Sequence, residues 1–116
     1  MKLIIAGGRD FYDYSLMKSK LDNILETVDE EIEIVSGTAN GADKLGEQYA
    51  QEKGFPIKKF PADWDKYKKR AGYMRNKQMA EYATHCVCFW NGKSKGTAMM
   101  IDLAKEFELS LRVIKY

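Results

Sequence analysis

At 116 residues, 45% hydrophobic and 31% charged, the chain is long enough for one real core and too short for two. Its net charge of +2 excludes no partner class, and it is too small to argue for nucleic acid by charge alone. No stretch approaches the length of a membrane-spanning helix, so no membrane partner is expected.

In chain order, residues 2–6 form a near-continuous apolar run, as a parallel strand buried on both faces requires. The run is far too short for a signal peptide. It leads directly into Gly7-Gly8-Arg9-Asp10-Phe11. From Ser15 to Val28, Leu16, Leu21, Ile24, Leu25 and Val28 recur at the helical period, with Ser15 as the expected cap. Residues 32–36 are a second strand, running into Ser36-Gly37-Thr38-Ala39-Asn40-Gly41-Ala42-Asp43. A helix is predicted from Gly41 to Lys53, with Ala42, Leu45, Tyr49 and Ala50 inward and Gly54 ending it.

Ile57 to Phe60 is a short third strand. Pro61 to Lys68 is aromatic, charged and without a helical stripe, and is expected to be irregular. A helix from Lys69 to Ala83 turns Ala71, Met74, Met79 and Tyr82 inward. Residues 85–90 are the fourth strand and run into Asn91-Gly92-Lys93-Ser94-Lys95-Gly96-Thr97. A last helix, Gly96 to Glu108, offers Ala98, Ile101, Ala104 and Phe107 for burial, and Leu111 to Ile114 is the fifth strand.

Strand–helix alternation of this kind implies a parallel sheet with helices on both faces. The expected fold is α/β: a single Rossmann-like three-layer α/β/α sandwich over residues 1–116. Its five-stranded parallel sheet has order 3-2-1-4-5, with 2-1-3-4-5 as the alternative. In the first order the first and fourth strands are neighbours, and their glycine loops flank the ligand crevice.

The two cysteines, Cys86 and Cys88, share one face of a strand, spaced badly for a disulfide. With no CxxC pair and His85 as the one histidine, no metal site is expected. Unpaired buried thiols suit a reducing cytoplasm, which is the expected location.

Three glycine-bearing loops after strands suggest a site for a phosphorylated ligand, because backbone N–H groups and helix N-termini favour anions there. Gly7 and Gly8 allow close approach to the main chain, or simply make a tight turn. They do not make GxGxxG, so no dinucleotide fingerprint is present. Arg9 offers a two-pronged grip on phosphate. Ser36, Gly37, Gly41 and Asp43 surround the second helix start; Asp43 either satisfies helix amides, accepts ribose hydroxyls or serves as a base. Ser94, Gly96 and Thr97 form a phosphate cradle at the last helix, with Lys93 and Lys95 nearby. Arg75 and Asn76 are solvated helix residues or pocket residues. Trp64 and Trp90 are flat surfaces for a base, or core.

Lys58, Lys59, Lys66, Lys68, Lys69, Arg70, Arg75 and Lys77 interleave with Phe60, Trp64, Tyr67 and Tyr73. This is either a single-stranded nucleic-acid surface or a solvated face, and Asp63 and Asp65 dilute it.

The GGRDF, SGTANGAD, FPADW with AGYMRNKQMA, and FWNGKSKGT segments, recurring in order across nearly the whole chain, resemble the YspA or cpYpsA-related branch of the SLOG superfamily. The resemblance implies a Rossmann-like domain binding a nucleotide or nucleotide-derived ligand, with Phe11, Arg75 and Asn76 among its ligand-binding residues and no further cofactor. It also brings two alternatives: a nucleoside-monophosphate N-glycosidase like the LOG phosphoribohydrolases, and a single-stranded DNA-binding module like DNA-processing protein A. Relatives that pair imply a homo-oligomer, with Met74, Met79, Met99 and Met100 available to an interface. The LOG enzymes carry PGGxGTxxE; here Gly96-Thr97 match, but Met100 stands at the glutamate and Asp102 faces elsewhere. A thioether cannot stabilise an oxocarbenium ion, so Asp43 and Asp10 are the tentative catalytic candidates.

Overall fold

Along β1 (Lys2–Gly7) the side chains alternate between two apolar layers. Leu3 and Ile5 join Phe11, Met17, Leu21, Ile34 and Phe89 in one, and Ile4 and Ala6 join Val35, Met79, Cys88, Met100 and Leu103 in the other. A strand buried on both faces needs cover on both. The computed structural model describes residues 1–116 and supplies that cover. Helices α1 (Tyr14–Leu25) and α2 (Ala42–Lys53) close the first layer, and α4 (Ala71–Tyr82) and α5 (Lys95–Glu106) close the second.

With β2 (Glu33–Ser36), β3 (Ile57–Lys59), β4 (His85–Trp90) and β5 (Ser110–Lys115), the sheet runs β3-β2-β1-β4-β5, every pair parallel. This is the Rossmann-like order 3-2-1-4-5, and 2-1-3-4-5 is excluded. Ile4 lies opposite Val35 on one side and Cys86 on the other, and the β1–β4 pairing continues to Gly7 and Phe89. The strand order reverses between β1 and β4, which opens a crevice at their carboxyl ends.

Several local expectations need correction. Asp13, not Ser15, caps α1: its Oδ1 accepts the Leu16 N–H at 3.0 Å, and Ser15 already lies inside the first turn. Met17 is buried on that helix, whereas Leu16 and Ile24 are half-buried at its margin. On α5 the buried stripe is Thr97, Met100, Ile101, Leu103 and Ala104; Phe107 is the C-cap, past the last packed turn, and is exposed. On α4 Ala71 and Met79 are buried as expected, but so is the polar Asn76. The segment from Pro61 to Lys68 contains a one-turn helix, α3 (Trp64–Tyr67), whose cap Asp63 accepts the Lys66 N–H at 3.1 Å. A 3₁₀ turn over Lys68–Arg70 then leads into α4. Four residues are too few to show a periodicity.

Gly54 does end α2, in the left-handed conformation at φ 76°. Cys86 and Cys88 are free and buried on one face, their Sγ atoms 3.6 Å apart. That hydrogen bond and burial both raise the Cys86 pKa. No helix is long and apolar enough to cross a membrane.

Candidate functional site

The first loop is built around the backbone of one residue, Gly8. The Gly8 N–H donates to the Phe89 carbonyl at 3.1 Å, and its carbonyl accepts from Phe11 at 3.2 Å and Ala42 at 3.1 Å. Gly41, at φ 78° and ψ −126°, packs so closely beneath the loop that a Cβ would overlap the carbonyls of Gly8 and Arg9. Phe11 is buried: it stacks on Phe89, centroids 4.9 Å apart, with Tyr116 alongside. It anchors the loop from below. Arg9 and Asp10 are left exposed, with Asp10 accepting from the Tyr116 hydroxyl at 2.8 Å.

The third loop is shaped by Asn91, whose Oδ1 accepts the N–H groups of Lys93 and Ser94, both at 2.8 Å. Ser94 then caps α5, its Oγ accepting the Thr97 N–H at 3.3 Å. The Trp90 ring is held sideways, Nε1 donating to the Ser94 carbonyl at 3.0 Å.

From the second loop, Asp43 is 6% exposed, and its Oδ2 accepts the Ala39 N–H at 3.1 Å. Burial pushes its carboxyl up to about 6; the Ala39 N–H and Arg75 oppose this, Glu47 adds to it, and Arg9 opposes it. Ser36 turns away from the crevice, donating to Glu47 Oε2 at 2.6 Å and accepting from the Thr38 N–H at 3.1 Å.

Arg75, on α4, donates through Nε to Asn76 Oδ1 at 2.8 Å and through Nη1 to the Gly37 carbonyl. Burial, offset by Asp43, lowers its pKa. The Asn76 amide in turn meets the Met99 sulfur at 3.9 Å.

Together these elements enclose a cavity of about 460 Å³ at the carboxyl edge of β1 and β4. Gly7, Gly8, Arg9, Asp10, Asp43, Arg75, Asn76, Ser94, Gly96 and Thr97 all line it. Phe11, Ser36, Gly41 and Trp90 do not, and Gly37 faces a neighbouring recess with Trp64. Ala6, Ala39, Gly72, Asn91 and Met99 complete the wall, with Met79 and Met100 on its floor. Met79 and Met100 are each 1% exposed, so they are floor and core rather than outer surface. Asp102 is exposed on the far side of α5 and does not line the cavity. Within the basic segment, Lys59 approaches Glu47 at 3.8 Å, and Lys58 and Lys66 lie over aromatic rings.

The cavity presents two arginines, a helix start and two aspartates over an apolar floor. Arginine and free N–H groups suit an anion, and buried Asp43 suits hydroxyl donors. No group of three His, Cys, Asp or Glu side chains is placed to hold a metal ion.

A parallel sheet in this order, with its polar cavity at the switch point, defines a Rossmann-like α/β domain. The chain belongs to the YspA, cpYpsA-related SLOG family, whose family model matches residues 1–67. It is also similar to the Gene 61 protein of Mycobacterium phage D29, with 30% identity over 102 residues, 83% of this chain and 82% of the phage protein. No solved structure matches it. Family membership points to a role in binding a nucleotide-related ligand.

Proposed function

We propose that the domain binds a nucleotide or nucleotide-derived small molecule in the switch-point cavity, with phosphate against Gly7–Arg9 and the Ser94–Thr97 turn and ribose towards Asp43. The observation that carries this reading is the pair Arg9 and Arg75. Neither takes part in any of the chain's four salt bridges, yet both line the cavity beside the start of α5. A cavity of about 460 Å³ falls within the usual size for small-molecule sites, roughly 300–1,000 Å³.

Thermal-shift measurements with AMP, ADP-ribose and NAD test this. A ligand at 100 times its Kd stabilises the fold by about 2.7 kcal/mol, which for a chain of this size raises Tm by roughly 10 °C. Arg9→Ala, at an exposed position, is expected to weaken binding about 10- to 100-fold, the range of one charge-assisted hydrogen bond. The absence of any shift, or a shift that Arg9→Ala leaves unchanged, overturns the reading.

One observation favours a second reading, hydrolysis of the N-glycosidic bond. Asp43, its carboxyl at about 6, sits where general acid–base work near neutral pH is feasible, in place of the glutamate that Met100 replaces. Free base released from AMP by the wild type and not by Asp43→Asn would establish it.

A further inference from the structure

The cavity has a neighbour. A second recess of about 480 Å³ lies beside it, and Arg9, Ala39 and Arg75 wall both. The second recess is bounded by Trp64 and Pro61 on one segment and by Thr38 and Asn40 on the other.

Trp64 is 54% exposed, unusual for the largest apolar side chain in the repertoire. Its backbone is nevertheless fixed, because the Asp63 cap forms the turn that carries it. Thr38 holds φ 66°, a left-handed conformation costly for a β-branched residue, and its N–H is tied to Ser36 Oγ at 3.1 Å. Backbone held in such conformations clusters around ligand sites.

The charge between the recesses is only partly answered: buried Asp43 is the one acidic group that acts on both arginines. The bonds from Arg75 to Asn76 and Gly37 leave most of its guanidinium donors free, and Arg9 forms no side-chain hydrogen bond or salt bridge. Arg9 is close enough to Arg75 to disfavour its charge. A doubly acidic linkage between the two guanidinium groups would relieve that repulsion.

We propose that the ligand is two-ended, with a pyrophosphate linkage between Arg9 and Arg75, one nucleoside in the switch-point cavity and a second aromatic ring stacked on Trp64. This rests on the nucleotide reading of that cavity, which alone has room for a mononucleotide and gives the second recess no task.

Calorimetric titration with AMP and with a dinucleoside pyrophosphate carrying two adenosines tests it. The dinucleoside is expected to bind the wild type at least about 10-fold more tightly than AMP, as one base–aromatic stack allows. Trp64→Ala removes that advantage and leaves AMP affinity within about 2-fold, whereas Trp64→Phe keeps most of it. Because the ring is exposed, neither change should disturb folding. Equal affinity for the two ligands in the wild type, or a dinucleoside affinity indifferent to Trp64→Ala, overturns the two-ended ligand while leaving nucleotide binding intact. Failure of both ligands to bind overturns the nucleotide reading together with it. Tighter binding of a single-stranded oligonucleotide than of the dinucleoside also overturns it, assigning Trp64 to a nucleic-acid surface.

Discussion

Two helix N-termini border the crevice, and the chain treats them in opposite ways. At α2 the start is packed against the protein itself: the Gly8 carbonyl takes the Ala42 N–H, Gly41 is pressed beneath the first loop, and Asp43 accepts the Ala39 N–H. At α5, the Ser94 side chain takes the Thr97 N–H and its carbonyl the Ala98 N–H, and a Cβ built on Gly96 would meet nothing within 4 Å. Both loops read as glycine-rich, yet one glycine is a packing requirement and the other leaves space. What separates them is whether another segment of the chain already fills the position.

Substitutions at these two ends should therefore diverge. The largest effect is expected at Gly41→Ala, where a left-handed φ and overlap with two carbonyls act together. The loss should be about 4 kcal/mol or failure to fold, read by urea denaturation. A near-neutral result would show that the first loop can lift off α2, and the contrast would break.

Asp43→Asn comes next. A carboxyl raised from 3.8 to about 6 by burial favours the folded state when protonated, so its ionisation costs stability as pH rises from about 4 to about 6 and remains a constant cost above that. The asparagine variant should match the wild type near pH 4. It should gain up to about 3 kcal/mol by pH 7, two pKa units at 1.36 kcal/mol each. Denaturation curves across that range check it; a flat difference would mean Asp43 is ionised without penalty.

The smallest expected change in stability is at Gly96→Ala. The fold should hold or gain up to about 1 kcal/mol from helix propensity. Nucleotide affinity should fall, because the new methyl group is added at a residue that lines the cavity and meets no protein atom there. An unchanged affinity would remove the third loop from the site.

How much of this was legible in the sequence follows from the range of the interactions involved. The sheet order came through because apolar runs two-sided enough for a parallel sheet, such as residues 2–6 and 85–90, alternate with helical stripes. The cavity residues on the loops immediately after β1 and β4 were also within reach, since strand ends and site coincide in this fold. Ser36 and Phe11 lie outside the cavity for a different reason. The Ser36 partner Glu47 lies a helix turn beyond the motif, and Phe11 is drawn down by Phe89 and Tyr116 from the other half of the chain. Asn91, which opens the third loop, carries no such signal in the sequence, because its role lies in shaping the turn through backbone amides. Only the resemblance to the SLOG family directed Arg75 to the pocket; its sequence neighbours read equally well as a solvated helix.

The Gly8 backbone has one more consequence. By bonding to β4, to its own loop and to α2 at once, it ties the cavity floor to three elements before any ligand arrives. Little conformational entropy then remains to be lost there on association, so affinity on that side is set by complementarity of charge and shape. In the proposed complex the ordering cost of binding would fall instead on two exposed side chains, Arg9 and Trp64 of the neighbouring recess, and selectivity between related ligands would be decided there.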